Sequence, residues 1–411
     1  MNQNTDFIPF ARPRLGVEEE QAVIEVLRSG WLTTGKHCQA FEADFAQRAG
    51  VPHALAVNSA TAGLHLALEA LGITEGDRIA VSPYTFTASC EVMRYLGAHP
   101  HFIDVEAPSF HMDLNKLEHE LKRSKRGEIP AIKAIMPVHM GGVGWRVREL
   151  YALADQYGLP VVEDAAHAWP ARSTAYSRAG SEAFLGTQGS IGVYSFYANK
   201  TITTGEGGMI VSHDEALVKR MRTMRLHGID REVWNRFTSK ADQWRYAVVA
   251  PGYKYNLTDV AASIGCVQLR RADGFMAERR AIAARFNAAF AKVDWLELPP
   301  LTEMASQAGQ ETAHSWLLYA LRLKPGRLSI DRDEFLRKLS AAGIGTSVHF
   351  IPLHTMPYYA ETYGLKPQDY PQALAAFEGC FSLPIYPGLS ESELERVIEE
   401  VCNIGDTFLR T

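Results

Sequence analysis

Short apolar runs alternate with amphipathic stretches through the first two thirds of this chain. HALAVNS (His53–Ser59) predicts a strand, and the apolar positions of TAGLHLALEALG recur at helical spacing until Gly72 closes the run. Arg78–Ser82 predicts the next strand, Phe86–Leu96 a helix, and His99–Val105 a further strand. Lys133–His139 then reads as a strand, Val147–Tyr157 as a helix, and Pro160–Asp164 as a strand entering a loop. Two more apolar runs, SIGVYSF and GGMIVSH, lie close together with one lysine-bearing loop between them. Such alternation predicts a mostly parallel sheet covered by helices on both faces, with active loops at the C-terminal ends of its strands. Asn58, Asp104, His139 and Asp164 all fall at such ends.

Past Pro251 the texture changes. A helical pattern rich in Arg and Ala runs from about Val260 to Phe290, followed by a polar loop near Ser306–Gln310 and the strand-like HSWLLYALRL (His314–Leu323). Helices are expected at Arg332–Ala342 and Glu391–Phe408. The pattern therefore predicts an α/β protein in which residues 1–260 form a large domain with an N-terminal arm, and residues 261–411 a smaller C-terminal α+β domain. No internal repeat, low-complexity tract or long linker interrupts it.

Composition narrows the classes. With 411 residues and 46% hydrophobic content, the chain can bury a large core. Its formal charge of -5, with acids and bases interspersed, offers no basic stripe for a phosphodiester backbone, so no nucleic-acid partner is expected. Five cysteines, widely spaced and with no CxxC pair, point to a reducing cytoplasm rather than to disulfides or zinc. The first residues have no basic start with an apolar run behind it, and no stretch is apolar long enough to cross a bilayer, so neither export nor a membrane is expected.

Candidate chemistry concentrates in SFYANKTITTGEGGMIV. Lys200 lies between a strand end and a Gly-rich turn, where desolvation lowers an amine's pKa as Schiff-base chemistry requires. Upstream, LPVVEDAAHAWP ends an apolar strand in Asp164. That carboxylate has a plain reading as a helix cap or turn former, but its place after VVE favours burial, where it would hold a pyridine nitrogen protonated. Lysine and aspartate together suggest pyridoxal phosphate. His167 reads either as a satisfied core histidine or as a group that touches the cofactor or supports Asp164. Ser59, Ala60 and Thr61 open a helix whose free N–H groups suit a phosphate, and alone would be an ordinary N-cap; Ser195 adds a hydroxyl. Phe86 reads as core or as a ring that stacks on a pyridine.

Other patterns are discounted. GWLTTGKH (Gly30–His37) nearly spells a nucleotide phosphate loop, but His37 replaces the hydroxyl residue that reaches magnesium, and a helix rather than a strand precedes it. The sequons at Asn199 and Asn256 carry no meaning without secretion. The 14 histidines do not cluster at metal spacing, so no metal is expected.

FARPRLGVEEEQAV, SGWLTTG, NSATAGLHLAL, SPYTFTAS, FIDV, PVHMGG, EDAAHA, SFYANKTITTGEGG, PGYKYNLTD and GIGTSVHFIPLH together resemble the DegT/DnrJ/EryC1/StrS group of pyridoxal-phosphate-dependent sugar aminotransferases. The resemblance runs from about Phe10 to the final helix and is strongest to the branch that aminates C4 of nucleotide-linked 4-keto sugars. It implies fold type I, with a mostly parallel seven-stranded sheet, and a homodimer with shared active sites. It implies that Lys200 forms the Schiff base and shuttles the proton, that Asp164 holds the pyridinium with Phe86 stacked and His167 close by, and that Ala60, Thr61 and Ser195 bind the phosphate. A neighbouring subunit is expected to complete that phosphate site through an Asn; here Lys254 stands at its place, with Asn256 two positions on. Trp31, Thr33, Thr34 and His349 resemble sugar-side positions, and Arg231, Arg236 and Arg245 are candidates for a diphosphate. The implied reaction moves an amine from L-glutamate to a keto nucleotide sugar. Two alternatives of the same fold, a sugar dehydratase or a non-catalytic regulator that binds sugar nucleotides, are disfavoured by the intact Lys200.

Overall fold

In the computed structural model of the chain, residues 7–107, 109–173, 182–230, 246–300 and 314–410 are described. Helices α1 (Val17–Ser29) and α2 (Lys36–Ala49) precede β1 (His53–Val57) and α3 (Ala60–Ala70). The alternation continues through β2 (Arg78–Val81), α4 (Ala88–Tyr95), β3 (His99–Phe102), α5 (Leu114–Lys125), β4 (Ile132–Met136), α6 (Val147–Tyr157) and β5 (Val162–Asp164). A small ladder of β6 (Arg172–Ser173) and β7 (Ala183–Phe184) comes before β8 (Ile191–Ser195), β9 (Gly208–Ser212), α7 (Glu215–Met224) and the long α8 (Asp259–Phe290).

β2 pairs in parallel with β3 and β4, and β5 with β8. Parallel bridges Ile135–Val161 and Val138–Asp164 join the two groups. β9 runs antiparallel to both β8 and β1, giving the order β3-β2-β4-β5-β8-β9-β1 with β9 opposed to the other six. β8 and β9 read as continuous apolar runs because both of their faces are buried, whereas edge strand β3 keeps His99 and His101 half-buried. Alternate residues Leu55, Val57, Val193 and Ile210 enter one apolar cluster with α3 and α7, while Ala56, Tyr194, Phe196, Met209 and Val211 enter the other with Phe41 and Phe45 of α2. Helix α8 packs across α1 and α2.

The remaining elements are β10 (Leu296–Glu297), β11 (Tyr319–Leu323), α9 (Arg332–Ala341), α10 (Pro357–Tyr363), α11 (Pro371–Gly379), β12 (Cys380–Leu383) and α12 (Glu391–Thr407). β10, β11 and β12 form an antiparallel sheet over a third cluster built from Phe286, Phe290, Trp295, Tyr319, Phe335 and Phe381. The strand expected from His314 begins only at Tyr319. Trp316 has φ +51°, a left-handed conformation that breaks the extended run. Asp104, expected at an active loop, instead accepts Gln372 N (3.2 Å), Ala373 N (2.9 Å) and the Lys116 ammonium (2.8 Å), and so caps α11 from across the molecule.

Candidate active site

β1 delivers the chain to Ser59, whose Oγ accepts Ala62 N at 3.1 Å as the N-cap of α3. That bond leaves the Ala60 and Thr61 N–H groups pointing beyond the helix end, where the dipole favours an anion. β9 approaches this terminus closely because its first residue is glycine: a Cβ on Gly208 would stand 2.8 Å from Ala60 N and from the Ser59 carbonyl carbon. Ser195, at the end of β8, lies opposite Gly208 in the ladder and lines the same cavity.

Asp164 ends β5, 6% exposed. Its Oδ2 accepts the Ser89 hydroxyl at 2.7 Å and its Oδ1 accepts Ala166 N at 3.1 Å. Because Ser89 spends its one proton on the carboxylate, Thr85, 2.8 Å away, donates to Ser89 in turn. Burial pushes the Asp164 carboxyl above its ordinary range, while Ser89, Ala166 and the nearby Lys200 charge pull it back. Lys200 is enclosed by protein but keeps part of its surface open to the cavity. Burial brings its amine down to about 8, against the opposing pull of Asp164. Among the described residues its Nζ has no hydrogen-bond or ion-pair partner. Asp164 favours a cationic N–H, and Lys200 gives up its proton more readily than an ordinary lysine.

His167 accepts Gly141 N at Nδ1 (3.2 Å), which leaves its proton on Nε2. Burial, with the charges of Lys200 and His349, holds its imidazole well below the ordinary value. The cavity around these groups measures 520 Å³. Ser59, Ala60, Thr61, Phe86, Asp164, His167, Ser195, Lys200 and His349 all line it. Phe86 is 58% exposed rather than core, and its ring stands 5.8 Å from that of Phe350. His349 bonds Ser382 Oγ (3.1 Å), and burial with the Lys200 charge brings it down to about 4.

Trp31, Thr33, Thr34, Lys254 and Asn256 are not among the residues lining that cavity. Four of them form a separate chain of bonds: Lys254 Nζ to Asn256 Oδ1 (2.5 Å), Asn256 Nδ2 to Thr34 Oγ1 (2.7 Å) and Trp31 Nε1 to the Thr34 carbonyl (3.2 Å). Asn58 reaches the Lys254 carbonyl at 3.4 Å. His139, like Asp104, is taken by structure: its Nε2 is 2.7 Å from Glu163, whose carboxylate also accepts Gly186, Gln188 and Gly189 N–H groups. Arg231, Arg236 and Arg245, and the loop near Ser306–Gln310, lie outside the described residues. Sequence reasoning missed Ser89, although it ends the SPYTFTAS run one helical turn past Phe86. It also missed the apolar wall of Phe10, Leu317, Leu318, Phe350 and Ile385, although Phe10 and Phe350 stand in FARPRLGVEEEQAV and GIGTSVHFIPLH, because the wall is assembled from segments far apart in the chain.

The DegT/DnrJ/EryC1/StrS aminotransferase family model matches residues 13–402. The spore coat polysaccharide biosynthesis protein SpsC of Bacillus subtilis (strain 168) is 39% identical over 405 residues, 98% of either chain. Among solved structures, Spr1654 from Streptococcus pneumoniae, assigned as a sugar aminotransferase and known in PMP and PLP forms, superposes with TM-score 0.85 for the PMP form, at 29% identity, over 97% of this chain and 99% of that one. The aminotransferase TlmJ from Streptoalloteichus hindustanus gives TM-score 0.84 at 32% identity, over 98% of this chain and 99% of its own. Fold and site thus define a fold type I, pyridoxal-phosphate-dependent aminotransferase. The chain belongs to the DegT/DnrJ/EryC1/StrS aminotransferase family.

Proposed function

We propose that this enzyme transfers the amino group of L-glutamate to the C4 keto group of a nucleotide-linked keto-deoxy sugar, for surface polysaccharide or glycoconjugate biosynthesis. The observation that carries the aminotransfer chemistry is the convergence of an unpartnered, low-pKa Lys200, a buried Asp164 and the open N-terminus of α3 on one cavity, and the family match and the sugar aminotransferase neighbours support a sugar acceptor. Pyridoxal phosphate fits that donor set. The cradle at Gly208, which any side chain would fill, leaves the Ala60 and Thr61 N–H groups accessible to its phosphate together with the Ser195 hydroxyl. Asp164 retains unused lone pairs for a ring N–H, Phe86 offers a ring face, and His167 offers an Nε2 proton.

When bound, the cofactor supplies an electron sink for the carbon that carries the amine. The chain supplies the rest. Asp164, ionised, holds the ring nitrogen's proton in place, and Ser89 holds Asp164. The Lys200 amine, neutral at modest cost, takes the proton from the donor's α-carbon and later returns one to the acceptor's former keto carbon. Glutamate leaves as 2-oxoglutarate before the keto sugar enters, so one lysine serves both halves. His349 and the apolar wall face the acceptor.

The same proposal includes a homodimer. Phe86 and Tyr197 line the cavity while 58% and 48% exposed, and a second copy would cover them. Lys254 and Asn256, with Trp31, Thr33 and Thr34, would then serve the partner's phosphate and sugar. It further assigns residues 1–260 to a large cofactor domain and 261–411 to a small one, a reading supported by the apolar cluster that the second half of α8 forms with β10–β12, α9 and α12. A cytoplasmic setting is supported by the five free cysteines. Purified protein incubated with glutamate and a panel of keto nucleotide sugars tests the reading. An amino sugar nucleotide and stoichiometric 2-oxoglutarate are expected, and absence of both with every acceptor overturns it.

A further inference from the structure

Arg279 on α8 is 3% exposed and has no carboxylate partner among the described residues. A guanidinium is costly to bury without an anion, and among the described residues its hydrogen-bond partners are all carbonyls. Its Nη1 donates to Ile385 O (2.7 Å), Trp316 O (3.0 Å) and Leu317 O (3.5 Å), while Nε is buried without an acceptor. Burial brings this arginine down to about 10.

Two of those carbonyls belong to residues that line the active-site cavity, Leu317 and Ile385, and the neighbouring Leu318 lines it too. Trp316, one of the three residues whose carbonyls Arg279 holds, has φ +51°, a left-handed conformation an aromatic residue holds only when its surroundings impose it. The turn is tied on its other side as well. Trp316 N donates to His314 Nδ1 (2.9 Å), Leu317 N to Ser315 Oγ (3.2 Å), and Ser315 Oγ to the carbonyl of His167 (2.6 Å). Ser315 N reaches Gly142 O at 2.8 Å. Segment 314–318 is thus a strap from β11 to His167, and Arg279 is its anchor.

We propose that Arg279 is a positioning residue for acceptor binding: by gathering the carbonyls of Trp316, Leu317 and Ile385 it fixes the strap and sets the apolar wall against which the sugar lies. The inference rests on the aminotransfer reading of the cavity. Arg279 touches no reacting atom, so its loss acts on binding of the larger substrate more than on the chemical step.

The test compares Arg279→Met and Arg279→Lys holoenzymes by backbone hydrogen exchange and by steady-state kinetics. Exchange of the Trp316 and Leu317 amides is expected to rise at least about tenfold in Arg279→Met, with β8 amides unchanged, and acceptor KM to rise roughly tenfold while kcat changes less than about threefold. Arg279→Lys, which keeps the charge but not the fork, is expected to fall between the two. Should Arg279→Met fail to fold, Arg279→Lys decides alone by the same two readouts. Unchanged exchange at 316–317, or a fall in kcat with KM constant, overturns the proposal. If the unsubstituted enzyme aminates no keto sugar, the reading of the cavity has failed, and the exchange experiment still decides the role of Arg279 in the strap.

Discussion

Gly208→Ala perturbs the phosphate end of the site without removing any functional group. The added Cβ would lie 2.8 Å from Ala60 N and the Ser59 carbonyl carbon and 2.9 Å from the Ser59 oxygen, all backbone atoms of the cap and first turn of α3. Ordinary van der Waals contact begins near 3.4 Å, so helix and strand must part by about 0.6 Å. Hydrogen bonds from N–H to oxygen span only about 2.7–3.2 Å, so such a shift puts the Ala60 and Thr61 donors at the edge of reach of a phosphate that β8 and β9 position from the other side. Losing one bond to a charged group costs about 1.5–3 kcal/mol, or roughly 10- to 150-fold in affinity. Fluorescence titration of the apoenzyme with pyridoxal phosphate measures this, and thermal unfolding without cofactor separates it from general damage. A dissociation constant within about twofold of the parent would refute the argument that this close approach builds the phosphate cup.

Ser89→Ala removes the hydrogen bond that offsets burial at Asp164, so its carboxyl rises further and the ionised form is lost at higher pH; the acid limb of kcat/KM is expected to move up by about one pH unit, and an unmoved limb would count against Ser89. Glu163→Gln leaves His139 and three loop N–H groups without their carboxylate, and denaturant unfolding at neutral pH should show a loss of about 3 kcal/mol. Burial alone would raise the Glu163 carboxyl, but its bonds from His139, Gly189 and Tyr151 hold it below the ordinary range. Its contribution is therefore present above the unfolded-state pKa and fades as pH falls through the folded one, a dependence that Glu163→Gln should abolish.

The parts of the site that were legible in the sequence are those where local chemistry and strand position coincide. Asp164 and Ser195 end apolar runs, Lys200 opens the glycine-rich turn after one, and Ser59 caps the helix that its own run enters, so periodicity alone placed them at one edge of the sheet. Phe86 and His167 were read from the residues with a plain alternative beside each, and the family motifs added His349. Strand ends overpredicted as well. Asp104 and His139 occupy equivalent positions, yet Asp104 caps α11 some 268 residues on and His139 pairs with Glu163, partners that sequence spacing does not reveal. Helices α2 and α5 were not foreseen; α5 follows an Asp113 cap, and its mostly charged run masks the buried stripe of Leu114, Leu117 and Leu121. The strap at 314–318 reads as strand by composition, whereas Trp316 is left-handed, with its N–H bonded to His314 Nδ1 two residues back and its carbonyl to the distant Arg279, a partner that sequence spacing does not reveal.

The central claim, that one desolvated amine at residue 200 carries the cofactor, is tested most directly by reducing the holoenzyme with borohydride and mapping the labelled peptide. The account predicts a single pyridoxyl group on Lys200, in the peptide containing SFYANK. A label on any other lysine, or none on a protein that still transaminates, would contradict it.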